Sequence, residues 1–340
     1  MDVLRPCPAT LSGFCPNLKS AKLSRVDIFD GKKVNTEVAG RDFKYYIFDW
    51  DDNILHMPTL IHLERLCKDG VWRPVAVSTS TFAIVRTDEE HYRMPLKGGR
   101  EAAFRDFQDA PGAVAADDLA FIRDTKAALA RIAAGEPPGP SFETLRKTLR
   151  EGRIFAIVTA RGHAPETIRQ AVRLFIESAL TPEEREEMMT NLRGYRYCFD
   201  KVEHFGTDEE ELDYFLSMCR YHAVTNPDFK ERLVCDCDFG CRFAEAPSEQ
   251  RPELAKEFAI RDFVEHLFRT LQRTNALDHQ VAVGFSDDDA GNVTAVSDYI
   301  RSELARRFGG FKFVVYDTSD PSLTNGRKVT VAGQLSLPGF

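Results

Sequence analysis

The sequence predicts an α/β fold built on a parallel sheet. Strand-like and helical segments alternate along most of the 340 residues, a pattern typical of β–α–β units with right-handed crossovers. Polar side chains follow three of the predicted strands: Asp49 and Asp51, Thr159, and Asp287 and Asp288. Because the carboxyl ends of parallel strands meet at one edge of a sheet, we expect these groups to converge in one crevice.

The first core strand is predicted over residues 44–52. An aromatic and aliphatic run ends at Asp49, Asp51 and Asp52, and a short apolar run bounded by polar residues is typical of a buried strand. Alternation places Asp49 and Asp51 on the same side of the strand end. Carboxylates this close repel each other, so the site needs a divalent cation or a shared proton. A plain acidic turn is the alternative.

The next stretch is predicted to hold extended segments followed by two helices. Its expected elements are extended chain over 54–86 with a turn at 68–70 and a β-rich run over 75–86, then helices over 99–109 and 117–134. Asp117 is a plausible N-cap and Gly135 a plausible stop for the last helix. Residues 135–140, rich in Pro and Gly, form the clearest linker in the chain.

The second half of the chain returns to alternating strands and helices. Ser141 is expected to cap a helix that ends near Gly152, and a buried strand follows over 153–159. Pro165 begins the next helix, where its missing N–H costs nothing. The later expected elements are a helix over 252–270, a strand over 280–285, a helix over 293–308 and a strand over 311–316.

Residues 181–250 are predicted as an insertion with an acidic helical stretch, a strand over 195–202 and a helix start at the acidic run 208–211. The cysteines here suggest a zinc site, but their spacing lacks the usual paired knuckles, and buried free thiols are the alternative. These cysteines are Cys219, Cys235, Cys237 and Cys241.

Composition excludes some classes of function. The formal net charge of −8 and the pI of about 5.6 argue against a general nucleic-acid binder, which needs a basic footprint. No apolar stretch is long enough to predict a membrane span, and the N-terminus lacks the pattern of a secretory signal. We therefore expect a cytoplasmic protein whose eight cysteines are reduced.

The residues at the strand ends can carry out phosphoryl transfer. Asp49 can attack phosphorus and form an aspartyl-phosphate. Asp51 can protonate the leaving oxygen and then activate water. Asp287 and Asp288 can complete a Mg²⁺ site with Asp49, and we include Asp51 among the candidate ligands. Thr159 can donate its hydroxyl to a phosphate oxygen.

Three segments resemble the first, second and fourth signature motifs of the haloacid dehalogenase superfamily: residues 49–53, 158–162 and 284–288. The resemblance implies a Rossmann-like, doubly wound core, Mg²⁺ dependence and an aspartyl-phosphate intermediate. By the family pattern Asp49 is the nucleophile and Asp51 the acid/base. Members with this second Asp are mostly phosphatases and phosphotransferases. The resemblance covers residues 44–56, 141–180 and 252–318.

The remaining motif positions have more than one candidate residue or role. The family lysine corresponds best to Lys256, which opens the helix before the strand ending at Asp287, and Lys201 is the rival. Arg161 is a candidate substrate contact, since a guanidinium binds oxyanions in a bidentate manner. Asn53 stands where the family has Thr or Val and is also assigned to substrate binding. Asn292 is an alternative later member of the fourth motif.

The sequence therefore predicts a Mg²⁺-dependent phosphomonoester hydrolase with cap or flap insertions, acting on a small phosphorylated molecule. One alternative is a phosphatase for nucleic-acid ends or phosphoproteins. Another is a non-catalytic scaffold of this fold, although a scaffold has no need of both Asp49 and Asp51. The expected divisions are an N-terminal arm (1–43), the core (44–56 and 141–318), a flap or cap (57–140), a second insertion (181–250) and a C-terminal tail (319–340).

Overall fold

The computed structural model describes residues 25–110, 119–247, 250–320 and 322–333. The strands are β1 (Val26–Phe29), β2 (Lys32–Asn35), β3 (Phe43–Phe48), β4 (Ile61–Leu66), β5 (Trp72–Val77), β6 (Tyr92–Arg93), β7 (Phe155–Thr159), β8 (Arg220–Ala223), β9 (Val281–Asp287), β10 (Phe311–Asp317) and β11 (Arg327–Ala332).

The helices lie mostly between these strands. They are α1 (Thr79–Val85), α2 (Gly99–Ala103), α3 (Ala120–Ala133), α4 (Phe142–Arg150), α5 (Pro165–Ala179), α6 (Pro182–Tyr195), α7 (Asp208–Met218), α8 (Pro227–Val234), α9 (Phe239–Glu245), α10 (Arg251–Arg273), α11 (Ala290–Tyr299) and α12 (Ala305–Arg307). Short 3₁₀ segments are Thr36–Gly40 and Arg105–Phe107, and π-helical turns are Arg196–Asp200 and Ile300–Leu304.

The central sheet has six strands in the order β11-β10-β9-β3-β7-β8. All neighbours pair in parallel except β11, which is antiparallel to β10. Phe48 lies opposite Ser286 on one side and Ile157 on the other, and the N–H of Asp49 donates to the Ser286 carbonyl over 3.0 Å. The predicted α/β fold with a mostly parallel sheet is confirmed.

Helices cover both faces of this sheet. On one face Ile47 and Phe285 pack against Phe263 of α10 in a large apolar cluster. On the other face Phe48 and Ile157 belong to a second cluster formed with α3, α4, α5 and α6. Alternate side chains of β3 therefore belong to the two clusters on opposite faces of the sheet, so the strand is buried on both sides.

A smaller three-stranded sheet, in the order β5-β4-β6, follows the first core strand. It packs its own apolar cluster around Ile61 and Leu63. The β-rich run predicted over 75–86 is correct only as far as Val77, the last residue of β5. Helix α1 begins at Thr79. Ser78 accepts a hydrogen bond from the Thr81 N–H, and this cap outweighs the β-preference of the residues that follow.

Helix α3 of segment 57–140 packs along α5. Gly135 follows that helix with φ 102°, as expected of a stop. The predicted N-cap Asp117 lies outside the described residues. Pro165 is the first residue of α5, in agreement with the sequence.

Segment 181–250 departs most from the predictions. The expected strand over 195–202 is wrong, since helix α6 continues into the π-helical turn Arg196–Asp200 and ends at Lys201, with φ 60°. The acidic run 208–211 does start a helix, with Thr207 in a capping box. The segment also supplies β8 to the central sheet. A strand of four residues with Arg and His has no apolar run by which to recognise it.

Three further strands were missed, two in the expected arm and one in the expected tail. The expected arm contains the β1–β2 hairpin, and β2 packs on α6. The expected tail contains β11, which pairs with β10. All three lie at the margins of the fold, where half-exposed strands carry little apolar pattern.

Candidate active site

A buried lysine joins two aspartates from neighbouring strands at the carboxyl edge of the sheet. The amine of Lys256 lies 3.2 Å from Oδ1 of Asp49 and 2.5 Å from Oδ2 of Asp287. Asp49 follows β3, Asp287 ends β9, and Lys256 lies in the second turn of α10. All three are at most 5% exposed. The rival Lys201 donates to the Cys198 carbonyl instead, so of the two candidate lysines Lys256 is the one that contacts the strand-end aspartates.

The carboxylates at this edge are short of positive charge. Burial raises the pKa of Asp49 well above its ordinary value; Lys256 opposes this, while Asp287, Asp288 and Asp51 add to it. Burial, Asp287 and Asp52 raise the pKa of Asp288 to about 7. Burial works to lower the pKa of Lys256, but its two aspartate partners outweigh it and raise that pKa. One ammonium group therefore does not neutralise the cluster.

Asp51 is held by the predicted substrate-binding arginine. Nε of Arg161 lies 2.8 Å from Oδ2 of Asp51, and Nη2 lies 2.6 Å from Oδ1. The hydroxyl of Thr159 donates to the same Oδ2 over 3.2 Å. Thr159 and Arg161 thus contact the proposed acid/base directly. Nη1 of Arg161 is buried and has no hydrogen-bond partner in the part of the chain that the structure describes.

Arg161 is itself enclosed by residues of segment 57–140. Its guanidinium lies over the rings of Phe107 and Phe121, 4.5 and 5.0 Å from their centroids. Nη2 also donates to Thr59, which in turn donates to Asp124 over 2.6 Å. Stacking between two rings and a hydroxyl acceptor fix the arginine. None of Thr59, Phe107 or Asp124 was selected from the sequence, which carries no local signal for this distant contact.

Asn53 is fully buried in a hydrogen-bond network. Its Nδ2 donates to the Asp49 carbonyl and to the Ser286 hydroxyl, over 3.0 and 3.1 Å. Its Oδ1 accepts from the hydroxyls of Ser141 and Thr318, over 2.7 and 2.8 Å. Both ends of the amide are therefore occupied, which favours a structural role over the predicted substrate contact. Ser141 sits at the N-cap of α4, but its hydroxyl serves this network rather than the helix.

The three consecutive aspartates at the end of β9 have different roles. Oδ1 of Asp287 accepts from the Asp289 N–H and from the Asn292 amide, each over 3.0 Å. Asp289 caps α11 by accepting from Gly291 and Asn292. Asp288 is half-buried and interacts electrostatically with Asp52. This arrangement makes Asp287 the anchored acid, as expected, with Asn292 orienting it.

Asp52 links the site to the smaller sheet. It adopts the left-handed φ of 54°, and its carboxylate contacts His56 at 2.9 Å and accepts from the Thr79 hydroxyl at 3.0 Å. The hydrogen bond with Asp52 raises the pKa of His56. Thr79 is the first residue of α1, so the segment after β5 reaches the carboxylate cluster. In the sequence, the four-residue spacing between Asp52 and His56 is the signal that could have indicated this contact.

His163 has a structural role in this arrangement. It is buried against Phe121 with ring centroids 4.9 Å apart, and its Nδ1 lies 2.9 Å from Asp109. Burial lowers the pKa of His163. Asp109 also accepts from the N–H of Ala164 and the hydroxyl of Thr167, so it caps α5 from segment 57–140.

A zinc site was one of two alternatives for the cysteines of segment 181–250. Within the described residues these cysteines do not come together to form one. Cys219 is buried in the core, whereas Cys235, Cys237 and Cys241 are exposed. In the described part of the chain, one set of three acidic or sulfur ligand groups lies within 4.8 Å, namely Asp236, Cys237 and Asp238. Both of its acids pair with Arg261.

Comparison of this chain with protein-family models, with curated proteins and with solved structures found no match. No helix in the described ranges combines the length and the apolar character needed to span a bilayer. A function for this protein therefore rests on the site itself.

Proposed function

We propose that this protein is a Mg²⁺-dependent phosphomonoester hydrolase with a Rossmann-like, haloacid dehalogenase-type core. The observation that carries the proposal is the contact of Lys256 with both Asp49 and Asp287 at the carboxyl edge of a parallel sheet. Asp51 and Thr159 lie at the same edge, on the loop after β3 and at the end of β7. Groups from four separate elements thus support the assignment made from three short motifs.

The donor set suits a hard divalent cation. Asp49, Asp287 and Asp288 offer oxygen ligands only, and the raised pKa values of Asp49 and Asp288 indicate a need for more positive charge. Their oxygens do not all lie within 4.8 Å of one another, and Lys256 bridges two of them. Asp51 is the weakest of the predicted ligands, because its carboxylate contacts Arg161. When bound, Mg²⁺ would offset the charge of these acids and of a phosphate.

The first step uses Asp49 as the nucleophile. One of its carboxylate oxygens attacks phosphorus, the bond from phosphorus to the ester oxygen breaks, and Asp51 gives its proton to the leaving oxygen. Arg161 occupies both oxygens of Asp51. Among the described residues Oδ1 of Asp51 accepts from Arg161 alone, so its other lone pair can carry the proton to the leaving oxygen while Arg161 holds the carboxyl group in place.

The second step releases phosphate. Asp51 takes a proton from water, the water oxygen attacks phosphorus, and the bond between phosphorus and Asp49 breaks. Lys256 supplies positive charge beside the nucleophile in both steps, where a buried charge is most effective. Nη1 of Arg161, which has no hydrogen-bond partner among the described residues, is a donor available to a phosphate oxygen.

The proposed substrate is a small phosphorylated molecule. The contact between Thr79 and Asp52 brings the segment after β5 against the carboxylate cluster, which supports an enclosing role for that segment. Enclosure excludes water and restricts the size of the leaving group. Nucleic-acid ends and phosphoproteins would need an open approach to Asp49.

A phosphatase screen with Mg²⁺ tests the proposal. It should include sugar phosphates, nucleotides, phosphopeptides and end-phosphorylated oligonucleotides, with Asp49→Asn as the inactive variant. Asp298→Asn is the matched control, because Asp298 is exposed on α11 and its side chain is 73% accessible. We expect hydrolysis by the wild type and the control only. Failure of the wild type on every class would contradict the proposal.

A further inference from the structure

A second, basic cavity lies at the opposite edge of the central sheet from Asp49. Its volume is about 470 Å³. Arg220 begins β8, whose carboxyl end points toward the catalytic edge. Four arginines line the cavity, from β8, α8 and α10: Arg220, Arg232, Arg269 and Arg273. Four guanidinium groups around one cavity are unexpected in a chain with a formal net charge of −8.

The innermost arginine has a neutral partner. Nη2 of Arg220 lies 2.6 Å from Nδ1 of His266, and Nε2 of His266 lies 2.8 Å from the Met218 carbonyl. An arginine can only donate and a carbonyl can only accept, so the ring carries its single proton on Nε2. Burial and Arg220 lower the pKa of His266 to about 4. The charge of Arg220 is therefore not neutralised by this contact.

One carboxylate, Asp262, stands in the wall of the cavity and partly offsets the charge of its arginines. Asp262 lies 3.2 Å from Nε2 of His222, and Glu265 lies 2.7 Å from Arg307. Within the described part of the chain, no carboxylate oxygen lies within 4 Å of a side-chain nitrogen of Arg220, Arg232 or Arg273. Arg269 has one such partner, Glu265, at 3.6 Å.

The electrostatics of Arg220 agree with this geometry. Burial lowers the pKa of Arg220; Asp262 opposes the shift, while Arg269 and Arg232 add to it. A half-buried guanidinium beside two others is stabilised by an anion. Planar, bidentate donors of this kind match phosphate geometry.

An apolar cavity of about 100 Å³ adjoins the basic one. The two share Met218, Thr270 and Arg273 in their walls. The apolar cavity is lined by six aromatic residues: Phe43, Tyr45, Tyr195, Phe199, Tyr214 and Phe215. A charged compartment beside an aromatic one suits a ligand with an anionic group on an apolar or aromatic body.

We propose that this pair of cavities is a second binding site, separate from the catalytic one, for a small organic phosphate. The phosphate group contacts Arg220 and Arg232, and the uncharged body enters the aromatic cavity. Because Arg220 and Asp49 lie at opposite edges of the sheet, a molecule bound here does not reach the nucleophile.

Titration calorimetry with phenylphosphonate tests the site. The carbon–phosphorus bond resists a phosphatase, and excess chelator removes metal-dependent binding at the catalytic edge. We expect saturable binding of one equivalent that Arg232→Gln weakens at least about tenfold. Arg86→Gln is the matched control, since Arg86 is exposed at the end of α1, and Asp49→Asn should also bind as the wild type does.

Arg220→Gln should weaken binding further, with the thermal unfolding midpoint checked to show that the variant is folded. Lack of saturable binding by the wild type would overturn the proposal, as would wild-type affinity in Arg232→Gln. Methylphosphonate tests the aromatic cavity, because it lacks the ring. We expect it to bind roughly tenfold more weakly than phenylphosphonate, and equal affinities would overturn the assignment of the aromatic cavity.

Discussion

The guanidinium of Arg161 binds both carboxylate oxygens of Asp51 while it is stacked between Phe107 and Phe121. The proposed acid/base thus has its orientation set by a residue two positions beyond Thr159, at the end of a neighbouring strand. Toward Asp51, Arg161 is a positioning residue, in addition to the phosphate contact proposed for its Nη1.

Arg161→Lys should lower kcat at least about tenfold, because an ammonium group cannot hold both oxygens of Asp51. The rate should also become more sensitive to the leaving group, since a misplaced Asp51 protonates it poorly. Steady-state kinetics over a series of aryl phosphates measures both effects. Arg146→Lys is the control, because Arg146 also donates twice, to Glu184 on the surface. A wild-type leaving-group dependence in Arg161→Lys would show that other contacts place Asp51.

Asp51→Asn should slow alkyl phosphates far more than nitrophenyl phosphate. An alkoxide needs a proton as it departs, whereas nitrophenolate leaves without one. The ratio of kcat/KM for the two substrates, compared between variant and wild type, measures the effect. Equal losses would mean that Asp51 acts in hydrolysis of the phospho-enzyme rather than in its formation.

Lys256→Met should lower the rate roughly 10²–10³-fold, because the nucleophile loses the positive charge beside it. It should also lower the thermal unfolding midpoint in the absence of metal, since Asp49 and Asp287 are left buried without a counter-charge. Lys201→Asn is the control, because Asn tolerates the left-handed φ at that position. A larger loss of activity in the control would move the motif lysine to Lys201.

The metal-free protein should lose stability as the pH rises through about 7. The pKa of Asp288 is raised to about 7 in the folded state, so the folded protein binds more protons than the unfolded chain above the ordinary aspartate pKa. That contribution is fully present below the unfolded pKa and is lost as the pH rises through the folded one. Thermal unfolding in chelator should show this slope, and Asp288→Asn should flatten it.

Mg²⁺ should remove the same slope in the wild type by binding the ionised acids. Unfolding midpoints measured at pH 5 and pH 8, with and without Mg²⁺, provide the comparison. An increase in metal-free stability from pH 5 to pH 8 would contradict the charge assignment at Asp288.

Asn53→Ala should destabilise the fold by about 2–4 kcal/mol, because it leaves several buried polar groups without partners. Urea unfolding measures the change. Thr144→Ala is the control, since it removes one exposed hydrogen bond, to Asn325. A loss no greater than that of the control would restore Asn53 as a candidate for substrate contact.

The sequence predicted the central strands because buried parallel strands leave apolar runs with polar residues at their ends. The same rule located Asp49, Thr159 and Asp287, whose convergence follows from strand order alone. Lys256 was placed by the resemblance to the haloacid dehalogenase superfamily, whose pattern puts a lysine in the helix before β9. The strand-end predictions needed only local pattern and the geometry of a parallel sheet.

Other features depend on contacts that no local pattern encodes. Strand β8 is recognised only by its pairing with β7, since Arg220 and His222 interrupt its apolar character. The run after Val77 has the composition of a strand but becomes a helix through the cap at Ser78. The pairing of Arg161 with Asp51 depends on Phe107 and Phe121, which lie more than 35 residues away in the chain.

Segment 57–140 cannot be exchanged as an independent module. Thr59 binds Arg161, the Phe107 carbonyl accepts from the Gly162 N–H, and Asp109 caps α5. A chimera that replaces this segment to change substrate preference would therefore also remove the support of Asp51. Substitutions that change substrate preference must therefore keep the contacts of this segment with the core. Specificity can change at the other residues of the segment, but not by replacing the segment as a whole.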